Sequence, residues 1–258
     1  MPLNETPGAI VFVVAAIGLL IAPPSHGEGD SIRWGYEGSE GPARWGELTS
    51  DFATCKTGRR QSPIDFVPVD LAPADPANAA GVDIAYRPAA TIIFNEGHTV
   101  ELVVDNGSVI AVDGKRYQLL QMHYHTPSEH RIEGKAYPLE AHFVHKARDG
   151  SFAVVGQLFD IGAEDAALAG ILRHLHQRST KAIRYAGPAV DLRAILPAVP
   201  AYYRYRGSFT TPPCTEGVRW FVVKDASTAS KSQIDTLHAA MGANARPVQP
   251  LNGRVPTK

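Results

Sequence analysis

Of the ten histidines in this 258-residue chain, six fall between His98 and His145, and the spacing of three of them is that of a metal site. In Gln121-Met-His123-Tyr-His125 alternate residues of a strand share a face, so Gln121, His123 and His125 point the same way. The same parity in Glu140-Ala-His142-Phe-Val144 puts Glu140 and His142 together and turns His145 to the opposite side. Between the two runs lie Pro127, Gly134 and Pro138, which predict a long-looped hairpin whose strands pair antiparallel. Two histidines from one strand and one from its neighbour then converge on a single ion. A lone strand histidine is more often an ordinary polar residue. Three neutral imidazoles with an open fourth position, by contrast, make a catalytic Zn2+ site rather than a closed structural one. Gln121 and Glu140 are placed to accept from the outer ring nitrogens and fix the rings' orientation.

The elements that must position these residues read mainly as sheet. From Thr91 onward short β-branched runs are broken by Asn106-Gly107, Asp113-Gly114 and Asp149-Gly150, dipeptides that favour tight hairpins. Strands are expected at Thr91 to Phe94, Thr99 to Val104, Val109 to Val112, Tyr117 to His125, Leu139 to His145, Phe152 to Phe159 and Arg219 to Val223. Val67 to Asn78, rich in Pro, Ala and Asp, reads as a surface connection. Two helices are expected: one within Glu164 to Arg178, where Ala167, Leu168, Ile171, Leu172 and Leu175 recur at helical spacing, and one carrying Ile234, Leu237 and Met241. Ser230 with Gln233 forms a candidate capping box for the second. The expectation is a single α/β, mainly β, domain built on a large twisted, mostly antiparallel central sheet with short peripheral helices.

Composition narrows the partners. With 25 Lys plus Arg against 26 Asp plus Glu, scattered rather than clustered, the chain is not built to bind nucleic acid. An apolar run from Gly8 to Ala22, followed by Pro23, Pro24, Ser25 and Gly27, reads as a signal peptide over residues 1–27, leaving 28–258 as the mature domain. The run has Glu5 and no Lys or Arg before it, and falls short of the ~20 residues that span a bilayer. The reading is a periplasmic or secreted protein with no stable membrane span after cleavage; the alternative is a retained anchor. The two cysteines, Cys55 and Cys214, are an even set suited to an oxidising compartment. They are expected to be bridged, the alternative being two buried free thiols.

With these residues in hand, the sequence resembles the α-class carbonic anhydrases, the exported bacterial type in particular. The resemblance runs in order through Trp34-Gly35-Tyr36, Gln61-Ser62-Pro63-Ile64-Asp65, Asn95-Glu-Gly97-His98 and His123-Tyr-His125-Thr-Pro-Ser-Glu129-His130. It continues through Glu140-Ala-His142-Phe-Val-His145, Gly207-Ser-Phe-Thr210-Thr211-Pro-Pro-Cys214 and Arg246-Pro247-Val248-Gln249-Pro250-Leu251-Asn252. The resemblance implies hydration of carbon dioxide to bicarbonate, with esterase side activity, on Zn2+ held by His123, His125 and His142 and backed by Gln121 and Glu140. It implies that Thr210 and Glu129 aim the attacking oxygen and that His98 shuttles protons. It also implies a pocket from Val144, Val154, Phe209, Thr211, Val218 and Trp220, and a Cys55–Cys214 bridge. Phe209 stands where the family more often has Leu, which points to a narrower pocket. His130 and His145 are assigned to structural hydrogen bonds, His174, His176 and His238 are read as ordinary helix residues, and His26 belongs to the leader. A homodimer is compatible with the sequence. Two other readings exist. Non-catalytic modules of the same family typically lack a metal histidine, and this chain keeps all three. His123-x-His125-x-x-x-Glu129 also matches the metal motif of cupin barrels, but Pro127 interrupts it and the flanking glycines are not at the cupin offsets.

Overall fold

The computed structural model describes residues 32–73, 81–88, 92–95, 97–104, 107–175, 179–184 and 189–258. The expected leader, Asn106 of the Asn106-Gly107 turn, part of the Val67 to Asn78 connection, His26 and His176 lie outside the described residues. The strands are, in chain order, β1 (Asp65–Phe66), β2 (Asp83–Ala85), β3 (Ile92–Asn95), β4 (Val100–Val103), β5 (Val109–Val112), β6 (Lys115–His125) and β7 (Arg131–Ile132). There follow β8 (Lys135–Ala136), β9 (Leu139–Ala147), β10 (Phe152–Ile161), β11 (Ser179–Arg184), β12 (Tyr202–Ser208), β13 (Glu216–Val223) and β14 (Ser227–Ala229). Among the described residues four short α-helices accompany them: α1 (Trp45–Leu48), α2 (Thr54–Thr57), α3 (Ala166–Leu172) and α4 (Lys231–Met241).

One 11-stranded sheet dominates, with the path β11-β3-β4-β6-β9-β10-β13-β12; β5 and β2 continue beside β6, and β14 beside β10. Its pairs are antiparallel except β10·β13 and β10·β14. The mainly β, mostly antiparallel expectation therefore holds, and each of the seven expected strands forms. Asp113 and Gly114 both have positive φ, 51° and 74°, the backbone that a two-residue hairpin demands between β5 and β6. Glu133 and Gly134, at 52° and 78°, do the same between β7 and β8, a hairpin not anticipated from sequence.

The helix expected over Glu164 to Arg178 is shorter, closing at Leu172. Asp165 caps its start by accepting the Leu168 N–H at 2.7 Å. Its end tightens, with His174 N–H on Ile171 O and Leu175 N–H on Leu172 O. Leu175 still packs on the core, so the apolar period is satisfied without a further helical turn. His174 accordingly lies in the turn after the helix. α4 carries the expected capping box at Ser230 and Gln233 and buries Ile234, Leu237 and Met241.

The sheet separates two apolar cores. One holds Leu102, Met122, Tyr124, Phe143, Val155 and Phe221 beneath α3 and α4. The other holds Ile64, Phe66, Val144, Val154, Val218 and Trp220. Full burial of such side chains stabilises by roughly 1.5–3 kcal/mol each. Along β6 the alternation is interrupted once: Leu119 faces His145 of β9 while Gln121 faces Val144, leaving Leu120 as an extra residue in a bulge. Tyr117 and Leu119 enter the first core before it, Met122 and Tyr124 after it. The bulge switches parity. Uninterrupted alternation from Tyr117 would have driven Gln121, His123 and His125 into that core.

Candidate metal centre

β6 and β9 lie side by side with His123 opposite His142. That register brings His123, His125 and His142 together, with one ring nitrogen from each lying within 4.8 Å of the others. The outer nitrogen of each ring is held. His123 Nδ1 donates to Gln121 Oε1 at 2.8 Å, His125 Nδ1 to the Asn244 carbonyl at 2.8 Å, and His142 Nε2 to Glu140 Oε1 at 2.8 Å. A neutral imidazole with its proton fixed on one side presents a lone pair on the other. His123 Nε2, His125 Nε2 and His142 Nδ1 are thus the inward-facing acceptors, and His125 Nε2 is buried without a hydrogen-bond partner. These donors fit Zn2+, which takes tetrahedral nitrogen ligands with a fourth position left open.

Electrostatics keep the rings neutral. Burial lowers the pKa of all three, that of His125 to about 4, with mutual repulsion adding to the effect at His123. Behind them Glu140 is fully buried, yet electrostatic attraction to the His130 and His142 rings and the hydrogen bonds they donate outweigh that burial and hold its carboxyl well below the usual range. Its Oε2 accepts the backbone N–H groups of Glu129 and His130 at 2.8 and 2.9 Å, while its Oε1 also takes His130 Nδ1 at 2.7 Å. His130 Nε2 meets the Tyr205 hydroxyl at 2.6 Å, which donates to Ser62 Oγ at 2.8 Å. His145, on the other face, bonds Ala153 O and the Tyr86 hydroxyl. Gly156 sits across from His142 on β10, and a Cβ there would come within 3.1 Å of Glu140 Oε1. The close approach of that carboxylate to the strand thus leaves little room for a side chain at Gly156.

Glu129, buried, faces the inward ring nitrogens, its Oε2 3.5 Å from His125 Nε2 and 3.8 Å from His142 Nδ1. Burial pushes its pKa up to about 7, against electrostatic attraction to the His142 ring, a hydrogen bond from Thr210 and the Arg246 backbone N–H. That N–H reaches Oε1 at 2.9 Å. The Arg246 guanidinium, itself buried, anchors on Gln61 Oε1, Ser62 O and Cys55 O. Cys55 is bridged to Cys214, closing a sequence separation of 159 residues. The bridge ties the loop bearing Thr210 and Thr211 to the segment that supports Arg246. Val144, Val154, Val218 and Trp220 are buried together, with Phe209 and Phe152 edge to face at 4.9 Å beside them. The Trp220 ring lies 4.8 Å from that of His142. His98 is half-buried on the segment before β4, its ring 5.2 Å from that of Trp34.

Sequence reasoning missed Asn244, Arg246, Gly156 and the Tyr205–Ser62 pair as parts of this arrangement. Asn244 and Arg246 act here through backbone atoms, which residue type does not announce. Gly156 alone carried a usable signal, a glycine inside an otherwise mainly apolar strand.

A mostly antiparallel sheet presenting three clustered histidines from adjacent strands, beside a buried apolar cluster, defines a protein with a candidate three-histidine metal site. The sequence pattern of the family described as eukaryotic-type carbonic anhydrase matches residues 40–257. The chain belongs to the α-carbonic anhydrase family, whose general reaction is the reversible hydration of carbon dioxide, and it is an enzyme of that class. The carbonic anhydrase of Pectobacterium atrosepticum is 41% identical over 92% of this chain and 95% of its own length. The α-carbonic anhydrase of Thermovibrio ammonificans, solved in complex with the inhibitor sulfanilamide, superposes with a TM-score of 0.84 at 42% identity, over 88% of this chain and 99% of that one. Dioscorin, solved in complex with ascorbate, matches at a TM-score of 0.81 and 33% identity, over 87% and 97%. The family membership sets aside the cupin reading.

Proposed function

We propose that residues 28–258 form a Zn2+-dependent catalytic domain that hydrates carbon dioxide to bicarbonate and a proton, with His123, His125 and His142 as the metal's only protein ligands. The observation that carries this is the set of three inward-facing ring nitrogens, each made an acceptor by a fixed hydrogen bond on the far side of its ring. Zn2+ on three uncharged ligands keeps its full charge and acidifies a bound water to near neutrality, an effect for which carbonic anhydrase is the standard example.

The remaining work falls to the chain's own residues. Glu129, fixed by the Arg246 N–H, takes the Thr210 hydrogen, which leaves a Thr210 lone pair free to orient the attacking oxygen. Val144, Val154, Phe209, Val218 and Trp220, with Thr211 at the rim, hold the small apolar substrate. His98 carries the released proton toward solvent, since an imidazole can both take and give one near pH 7. Slow ester hydrolysis is expected from the same site. We read the protein as periplasmic or secreted, with residues 1–27 a removable leader. The bridge between its two cysteines supports an oxidising compartment, and among the described residues no helix is long and apolar enough to cross a membrane.

The test is stopped-flow hydration of carbon dioxide by purified protein before chelation, after it, and after Zn2+ is restored. Activity should vanish and return. Full zinc loading without hydration would favour a non-catalytic binding role and overturn the proposal.

A further inference from the structure

The ladder between β4 and β6 ends at the pair Glu101 and His123. One step further, Val100 and Tyr124 are both fully buried and would pair next, but the strands have already parted. Their backbone groups on that side still need partners, because a buried amide or carbonyl left alone forfeits its hydrogen bond to water with nothing in return. The end of α4 supplies them. Val100 N–H donates to Met241 Sδ at 3.1 Å, and the Tyr124 carbonyl accepts from Asn244 Nδ2 at 3.0 Å.

Gly242, at φ 71°, ends α4 and turns the chain so that Asn244 can reach this gap. Asn244 then uses every polar atom it has. Its second amide hydrogen goes to His98 O at 3.0 Å, and its Oδ1 accepts the Thr126 N–H at 2.7 Å. Its backbone N–H donates to Thr126 O at 3.1 Å, and its carbonyl accepts from His125 Nδ1 at 2.8 Å. The Met241 sulfur packs 3.9 Å from the same side-chain amide. Aspartate lacks the two donors, and glutamine is one carbon too long for the same five bonds.

We propose that Met241 and Asn244 together form a wedge that positions His98 relative to the histidine triad, the sulfur seating the start of β4 and the asparagine amide pinning the His98 carbonyl to the end of β6. The segment His98-Thr99-Val100 is held at both ends, and its anchor is the residue that also orients the His125 ring. This inference rests on the proposed function insofar as His98 moves protons. Both are positioning residues rather than catalytic ones.

Two variants test it. Met241→Leu keeps the volume and removes the acceptor; Asn244→Asp keeps the carbonyl to His125 and the acceptor for Thr126 but turns an oxygen toward the carbonyls of His98 and Tyr124. The first readout needs neither metal nor activity. In Met241→Leu, NMR hydrogen exchange at the Val100 amide should accelerate about tenfold or more relative to the Leu102 amide, since loss of one bond is local whereas global destabilisation raises both. Equal acceleration of the two, or none, would overturn the seating role of the sulfur. In the Zn2+-loaded proteins, kcat in weak buffer should fall between about 10- and 100-fold, more than kcat/KM falls, and small imidazole buffers should restore it. Parallel loss of kcat and kcat/KM without rescue would overturn the positioning of His98. Wild-type protein inactive under the same conditions would instead sink the proposed function, leaving the exchange measurement to decide the wedge.

Discussion

Replacing Glu140 with glutamine isolates what the buried carboxylate does for the triad. Alanine would strand four buried N–H donors at once and threaten the fold. Glutamine keeps shape and one oxygen. With that oxygen retained for the backbone N–H groups of Glu129 and His130, its NH2 must face the rings of His130 and His142, donor against donor. His142 escapes the clash only by moving its proton from Nε2 to Nδ1, the nitrogen that faces the other two histidines. Two hydrogen bonds to a charged group are lost, at about 1.5–3 kcal/mol each, and loss of such a supporting acceptor typically weakens metal affinity by about 10–100-fold. At roughly 2–4 °C per kcal/mol for a domain of this size, Tm should drop by about 10 °C. Zinc transfer to a chromophoric chelator, alongside thermal unfolding of the metal-free protein, reads both quantities. Wild-type zinc affinity in Glu140→Gln would refute the view that Glu140 sets the His142 tautomer.

Removing the disulfide by the paired change Cys55→Ser and Cys214→Ser releases a constraint spanning 159 residues, worth up to about 5 kcal/mol in a chain-entropy treatment. Tm should fall by at least several degrees, and an unchanged melt would show that the bridge contributes nothing to folding. His145 supplies a pH dependence: burial lowers its native pKa to about 3, against about 6.5 when unfolded. The unfolded chain therefore binds the extra proton between these values. Its stabilising contribution is fully present above about pH 6.5 and is lost, at about 1.4 kcal/mol per unit, as pH falls toward 3. Urea unfolding of His145→Asn should show a slope against pH shallower by about one proton, and a slope identical to wild type would contradict the assignment. Phe209→Leu opens the pocket beside Phe152 and should leave kcat/KM for carbon dioxide unchanged or raise it; a large fall would show that Phe209 does not crowd the substrate.

Strand parity located Gln121, His123, His125, Glu140 and His142 in the sequence because both strands run regularly through those residues. The bulge at Leu120 leaves no mark in residue type, and because it precedes Gln121 it does not disturb the shared face of the motif. β12 escaped notice because Tyr202-Tyr-Arg-Tyr-Arg alternates aromatic and charged residues without the β-branched run that marked the other strands. α3 was overextended because Leu175 returns to the core from a turn, and periodicity does not distinguish that from a helix. Asn244 was illegible for a different reason: it lies 119 residues from His125 and meets that ring through a carbonyl that any residue would provide. Its side-chain bonds matter as a set, and only the folded backbone assembles their partners.

If uncharged imidazoles alone hold the metal, anomalous diffraction at the zinc edge from crystals of the purified protein should show one zinc per chain, bonded to His123 Nε2, His125 Nε2 and His142 Nδ1, with a solvent molecule in the fourth place. Zinc bonded to a carboxylate oxygen of Glu129 or Glu140, or to the opposite nitrogen of any of the three rings, would rule that arrangement out.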